Sequence, residues 1–134
     1  MKPYETLMVG GSEIQLKITT ANAVKLEESI GSDLLTGLNK LAEIKVLAKY
    51  FFYAAKSLND DITEIEDIYS LFDDYITGGG NYENLQTLII DVLVSSGIMT
   101  KENRDQMMEF NEAKKKMTKD QMEKLAEVLQ KLSE

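Results

Sequence analysis

The residues with most chemistry to offer in this chain are carboxylates. Asp60, Asp61, Glu64, Glu66 and Asp67 crowd into eight consecutive positions, a density that raises the question of calcium. An EF-hand loop needs oxygen ligands at alternating positions and a central glycine for its sharp turn, and this stretch has neither. Acids near a helix start are favoured by the helix dipole, so the cluster reads as the solvated opening of a helix. Asp73 and Asp74 form a second pair. Helical neighbours project about 100° apart, so these two cannot face each other as an acid/base dyad. Gly78, Gly79 and Gly80 precede a helical pattern, as phosphate-binding glycines do. No Lys-Ser/Thr pair follows them and no strand leads in, so they read as a linker.

The chain has no His and no Cys, which removes disulfides, zinc sites, histidine bases and thiolate nucleophiles together. The expected protein is therefore not an enzyme and carries no catalytic residue, metal or cofactor. An enzyme using carboxylates alone would need a facing acid pair, and none is evident. The formal net charge of −8 falls within residues 1–100, where 7 Lys stand against 15 Asp plus Glu, while residues 101–134 balance at 8 basic and 8 acidic. Nucleic acid and anionic membranes both require a clustered positive field, so neither is expected as a partner. The N-terminal MKPYETLMVGG has too short an apolar run for a secretory signal, and the expected location is the cytoplasm.

A length of 134 suits one ordinary domain. The expected fold is mainly α, a bundle of about five to six helices with an N-terminal β-hairpin, residues 1–100 forming the core domain and 101–134 a charged amphipathic tail. Tyr4 to Val9 and Glu13 to Thr19 read as strands about Gly10-Gly11, a pair suited to a tight turn. In that register Leu7 faces Ile14 and Val9 faces Ser12. Leu7, Val9, Ile14 and Leu16 then form one apolar face, which must lie on the helices or join another chain, because a lone hairpin is marginal in water.

Helices are predicted over Ala21 to Ile30, with Thr19 and Thr20 as N-cap candidates, Val24, Leu26 or Glu27, and Ile30 marking its spacing and Gly31 its stop, and over about Leu41 to Leu58. A third is opened by a Thr63/Glu66 capping box and runs to Ile76. Between the first two, DLLTGL makes a turn that Gly37 weakens. Leu85 to Val94, the centre of the stretch from Gly78 to Met99, is apolar on nearly every side, which marks it as the central core helix. Asn81 is its N-cap and Gly97 its left-handed stop, with Ile98 folding back toward Leu93. Beyond Thr100 a polar helix to about Lys116 holds Met107, Met108 and Phe110 as its only large apolar residues. A further box, Thr118 with Gln121, opens Lys119 to Leu132, where Met122, Leu125, Leu129 and Leu132 step by three, four and three. That seam either closes on the core or meets a partner helix.

The order of pieces has a counterpart. LKITTANAVKLEESIG after a hairpin, an aromatic helix, and then DIYSLFDDYITGGGNYENLQTLIIDVLVSSGIM before a charged tail resemble the tail assembly chaperones of long-tailed bacteriophages that infect Gram-positive bacteria. The resemblance spans roughly Glu13 to Met99, and rests most on Leu16-Lys17-Ile18-Thr19-Thr20 with Leu26-Glu27, and on Phe72-Asp73-Asp74-Tyr75 through Gly97. It implies a non-enzymatic protein of the host bacterial cytoplasm that binds the tape measure protein, keeps it soluble and helps gather tail-tube subunits. Such families are mainly helical, tend to self-associate as homo-oligomers, and often have a frameshift-extended form that contacts the tail-tube protein. The residues expected to meet the tape measure protein are Met107, Phe110, Met122, Leu125, Leu129 and Leu132; those expected to mediate self-association are Leu7, Val9, Ile14 and Leu16. The alternative is a small structural phage protein, such as a head–tail connector or tail component, or another helical adaptor that stays in the particle.

Overall fold

Gly10 and Gly11 have φ of 54° and 85°, the positive pair that a two-residue hairpin turn of matching twist requires. They fold β1 (Glu5–Val9) against β2 (Ser12–Leu16) with Leu7 opposite Ile14 and Val9 opposite Ser12, the register expected from the sequence. In a computed structural model of the chain, residues 4–116 and 119–132 are described; the side chains of 111–116, 119–122 and 125 lie outside that description. Helices follow the hairpin: α1 (Thr20–Ile30), α2 (Leu34–Gly37) running into a 3-10 turn at Leu38–Lys40, α3 (Ile44–Ala55), α4 (Ile65–Thr77), α5 (Tyr82–Ser95), α6 (Lys101–Lys116) and α7 (Lys119–Leu132). The protein is thus mainly helical with an N-terminal hairpin, and its seven described α-helices exceed the expected five to six because DLLTGL forms α2. The chain divides into two compact units, Met1–Thr100 and Lys101–Glu134.

In the first unit the hub is α3. Val46, Leu47, Ala48, Tyr50, Phe51, Ala54 and Ala55 are all buried, and the helix packs on α1, α4, α5 and β2. This moves the centre away from α5, which the sequence marks as central. α5 does bury Leu85, Ile89, Ile90, Val92 and Leu93, yet Leu88 and Val94 are only half-buried. Small residues explain the difference. Ala48, Ala54 and Ala55, each fully buried, let neighbouring elements approach α3 closely. α3 is also shorter than the expected Leu41 to Leu58. The backbone is extended at Glu43, with ψ of 119°, so Leu41 is buried from a turn rather than from the helix.

The caps behave locally as their residue types dictate. The Thr19 hydroxyl accepts from the Asn22 N–H at 3.3 Å, and the Asn81 side-chain oxygen accepts from the Asn84 N–H at 2.8 Å. At the end of α5, Gly97 takes φ of 80°. The Gly97 N–H reaches the Val94 carbonyl at 3.0 Å and the Ile98 N–H reaches the Leu93 carbonyl at 2.9 Å, which completes a Schellman stop. Two expectations shift. The opening of α4 is held by Asp67, not Glu66: its carboxylate accepts from the N–H groups of Thr63 at 2.9 Å and Glu64 at 3.0 Å, and the helix begins at Ile65. On α1 the inward residues are Asn22 and Leu26, while Val24 is 49% exposed.

The link between α3 and α2 is a close approach. Tyr50, fully buried, donates its hydroxyl to the Leu34 carbonyl at 2.6 Å. A Cβ on Gly37 would lie 2.5 Å from that hydroxyl oxygen and 2.7 Å from Ile30 Cδ1, so Gly37 is required by packing even though it weakens the turn. Elsewhere Phe51 meets Phe72 of α4 edge-on at 5.2 Å, and Phe72 meets Tyr82 of α5 at 6.1 Å. These contacts stitch three helices through one aromatic column.

Two substitutions test the joint between Tyr50 and Gly37. Tyr50→Phe leaves the Leu34 carbonyl without its donor and should cost about 1–3 kcal/mol; Gly37→Ala overpacks the site and should cost a similar ~1–3 kcal/mol. Because both act on one contact, the double variant should lose less than the two losses together. Equilibrium urea unfolding reads all three.

Candidate functional site

The two most exposed large apolar side chains among the described residues both belong to the C-terminal unit: Leu132 of α7 at 78% and Phe110 of α6 at 62%. On α7, Val128 and Leu129 join Leu132 at 53% and 58% exposed. Leu129 lies three residues and Val128 four residues before Leu132, so all three share one side of a helix. Glu123, Lys124, Glu127 and Lys131 of the same helix are exposed and surround the apolar run with charges of both signs. Of the expected partner-binding residues, Leu129, Leu132 and Phe110 are therefore exposed, Met107 is half-buried, and Met122 and Leu125 have side chains outside the described residues. Val128 is absent from that expectation, because the steps of three, four and three pass over it. Its separation of four from Leu132 is the signal that places it on the broader face. The Thr118/Gln121 box falls outside the described residues.

The hairpin presents the opposite case. Leu7, Val9 and Leu16 are buried and Ile14 is half-buried, because β1 lies on α4 and α5 while β2 lies on α3. The side chains expected to mediate self-association are taken up by the body of the same chain. What differs between the strands is the backbone edge. On β2, the Asn59 side chain acts as a strand substitute, donating to the Gln15 carbonyl at 2.7 Å and accepting from the Gln15 N–H at 3.3 Å. The Lys17 N–H goes to the Ala54 carbonyl at 2.9 Å, and the Ile18 N–H to Ser96 Oγ at 2.9 Å. Residues facing each other in an antiparallel pair either bond mutually or both point outward. Gln15 points outward, so its partner Thr6, and likewise Met8 two residues on, direct their N–H and C=O groups to the far edge of β1. Among the described residues nothing bonds them there.

A shallow groove of about 270 Å³ lies beside α1 and α2, lined by Ala23, Glu27, Asp33, Leu34, Leu35 and Ile98. Its two carboxylates act on the core. Burial first, then the charges of Asp33 and Glu27, push the Tyr50 hydroxyl well above its ordinary range, which keeps it a proton donor to Leu34. Asp33 is itself held below the usual aspartate value by the Thr36 hydroxyl first and then the Thr36 N–H. The acidic run ahead of α4 behaves as a helix opening: Asp60, Asp61, Glu64 and Glu66 are exposed, and Asp67 is held low by the N–H groups of Thr63 first and of Glu64 next. Asp73 and Asp74 are exposed on α4. No cluster of three metal-ligating side chains occurs among the described residues, and among them no helix is long and apolar enough to cross a membrane.

Comparisons of the chain with protein families, with curated proteins and with solved structures find no match. Two surfaces stand out among the described residues. They offer apolar contact on α7 and backbone hydrogen bonding on β1, which are means of binding other polypeptides.

The two capping carboxylates make a pH prediction. Both folded-state values lie below the ordinary aspartate value of 3.8, so the stability they add is fully present above that value and is lost as pH falls through the folded values. In a carboxyl NMR titration Asp33 and Asp67 should protonate at lower pH than an aspartate of a denatured reference peptide. Asp67→Asn should flatten the loss of stability in that acidic window while leaving neutral-pH structure intact.

Proposed function

We propose that this chain is a phage tail assembly chaperone. It binds the tape measure protein through apolar helical surface, keeps that long helical protein soluble, and helps tail-tube subunits gather on it, the last through a frameshift-extended form. Its role ends before the particle is finished, and it performs no chemistry. The reading rests on the resemblance in Glu13 to Met99 and, for the mode of action, on one observation: Val128, Leu129 and Leu132 stand exposed on α7 among charges of both signs.

The physical logic is that of a helix laid in a helix partner's groove. Apolar residues at neighbouring turns anchor the complex, and flanking Lys and Glu keep the unbound helix in solution without selecting one charge on the partner. Burying a Val or Leu side chain contributes roughly 1.5–3 kcal/mol, so three of them, already partly covered, supply enough for reversible capture. A holdase needs that reversibility, since the tube must later displace it.

The test is co-expression with the tape measure protein of the same phage, followed by pull-down and measurement of soluble yield. Wild type should form a complex; Val128→Ser, Leu129→Ser and Leu132→Ser together should weaken it by about a hundredfold and return the tape measure protein to the insoluble fraction. Absence of a wild-type complex would sink the proposal. Undiminished binding by the triple variant would move the site from α7 to the body.

A further inference from the structure

The hairpin has one closed edge and one open edge. On β2 the outward Gln15 is sealed by Asn59, and Lys17 and Ile18 just past the strand bond Ala54 and Ser96, which leaves Glu13 as its one outward residue without a backbone bond among the described residues. β1 has no such seal: the N–H and C=O groups of Thr6 and Met8 point away from β2 without a partner among the described residues. The Met8 side chain is 55% exposed and Thr6 is half-buried, so water reaches this strand on the face turned from the core. The devices that usually blunt an edge, a proline, a lysine or a bulge within the strand, are absent from Glu5–Val9.

We propose that β1 pairs antiparallel with β1 of a second copy, with Leu7 opposite Leu7, to form a two-fold dimer with a continuous four-stranded sheet. The register follows from which groups point outward. Only with Leu7 on the two-fold axis does Thr6 of each copy face Met8 of the other, so that both pairs exchange N–H and C=O bonds and all eight outward groups are used. The same register places Glu5 opposite Val9, keeping the carboxylates of the two Glu5 residues apart. An isologous contact closes on itself, and with Gln15 capped by Asn59 only Glu13 stays open on β2, too little for a further strand to add, so assembly stops at two chains. The side chains that carry it are Thr6 and Met8, not the buried apolar face of the hairpin. Edge pairing of five-residue strands covers less than the roughly 1,200 Å² of a stable dimer, which makes association dependent on concentration. This interface is independent of α7 and of the tape measure reading.

The experiment uses the full chain in two measurements. Sedimentation over about 1 μM to 1 mM, a range that brackets weak association, should show the mass rising from 15.1 kDa toward twice that value and no further. Hydrogen exchange read by NMR should show the Thr6 and Met8 amides slowing at least tenfold from the dilute to the concentrated end, with Leu7 unchanged. The variant T6K/M8K changes only side chains turned from the core, and sets a lysine of each copy against a lysine of the other; it should keep the circular dichroism and melting of the wild type and remain a monomer. A constant 15.1 kDa species, a mass that climbs past two chains, or a dimer whose Thr6 and Met8 amides exchange as fast as in dilute solution would each overturn the proposal. So would a folded T6K/M8K that dimerises like the wild type.

Discussion

The body of this protein depends on the burial of α3. A twelve-residue helix with seven buried side chains cannot stand at a surface, so other elements must close around it. The hairpin, α1, α4 and α5 all do so, and several of their features follow from that demand. Gly37 leaves room for Tyr50; Phe51 sets the position of Phe72 and, through it, Tyr82; Ala54 lends a carbonyl to Lys17. The residues at the end of α3 do two jobs, since Asn59 ties off the Ala55 carbonyl at 2.8 Å and also seals β2. A change in α3 would therefore be felt in the sheet.

This concentration of burial has a consequence for function. With Leu7, Val9 and Leu16 committed inward, the hairpin can meet another polypeptide only through backbone groups and the outward side chains of β1. Val128, Leu129 and Leu132 of α7 are left for side-chain recognition. The body also bears the whole of the net negative charge, whereas α7 carries apolar surface among charges of both signs. A scaffold and a working helix with different compositions can serve different purposes, and that division is what the proposed chaperone role requires.

Local signals are legible in the sequence. Gly10-Gly11, Thr19, Asn81 and Gly97 set the turn, two helix starts and one helix stop, because each acts on backbone groups within four residues. The all-round distribution of apolar residues in α5 misplaces the hub, since Leu88 and Val94 stay half-buried while β2, α1, α4 and α5 all close on α3. The α4 box is off by one residue: Thr63 with Glu66 has the right spacing, but Asp67 is close enough to take the N–H groups of both Thr63 and Glu64. The candidate surfaces are legible in part. Leu129 and Leu132 follow from spacing, whereas the sealed edge of β2 depends on Asn59 lying 44 residues from Gln15, a pairing that no local pattern announces.

The division into a working α7 and a fixed, α3-centred support is tested most directly by amide hydrogen exchange on the full chain, alone and bound to the tape measure protein. The prediction is slowed exchange across Glu123 to Leu132 in the complex, with the amides of α3 and α5 unchanged. Protection gained in the body while α7 exchanges as before would contradict it.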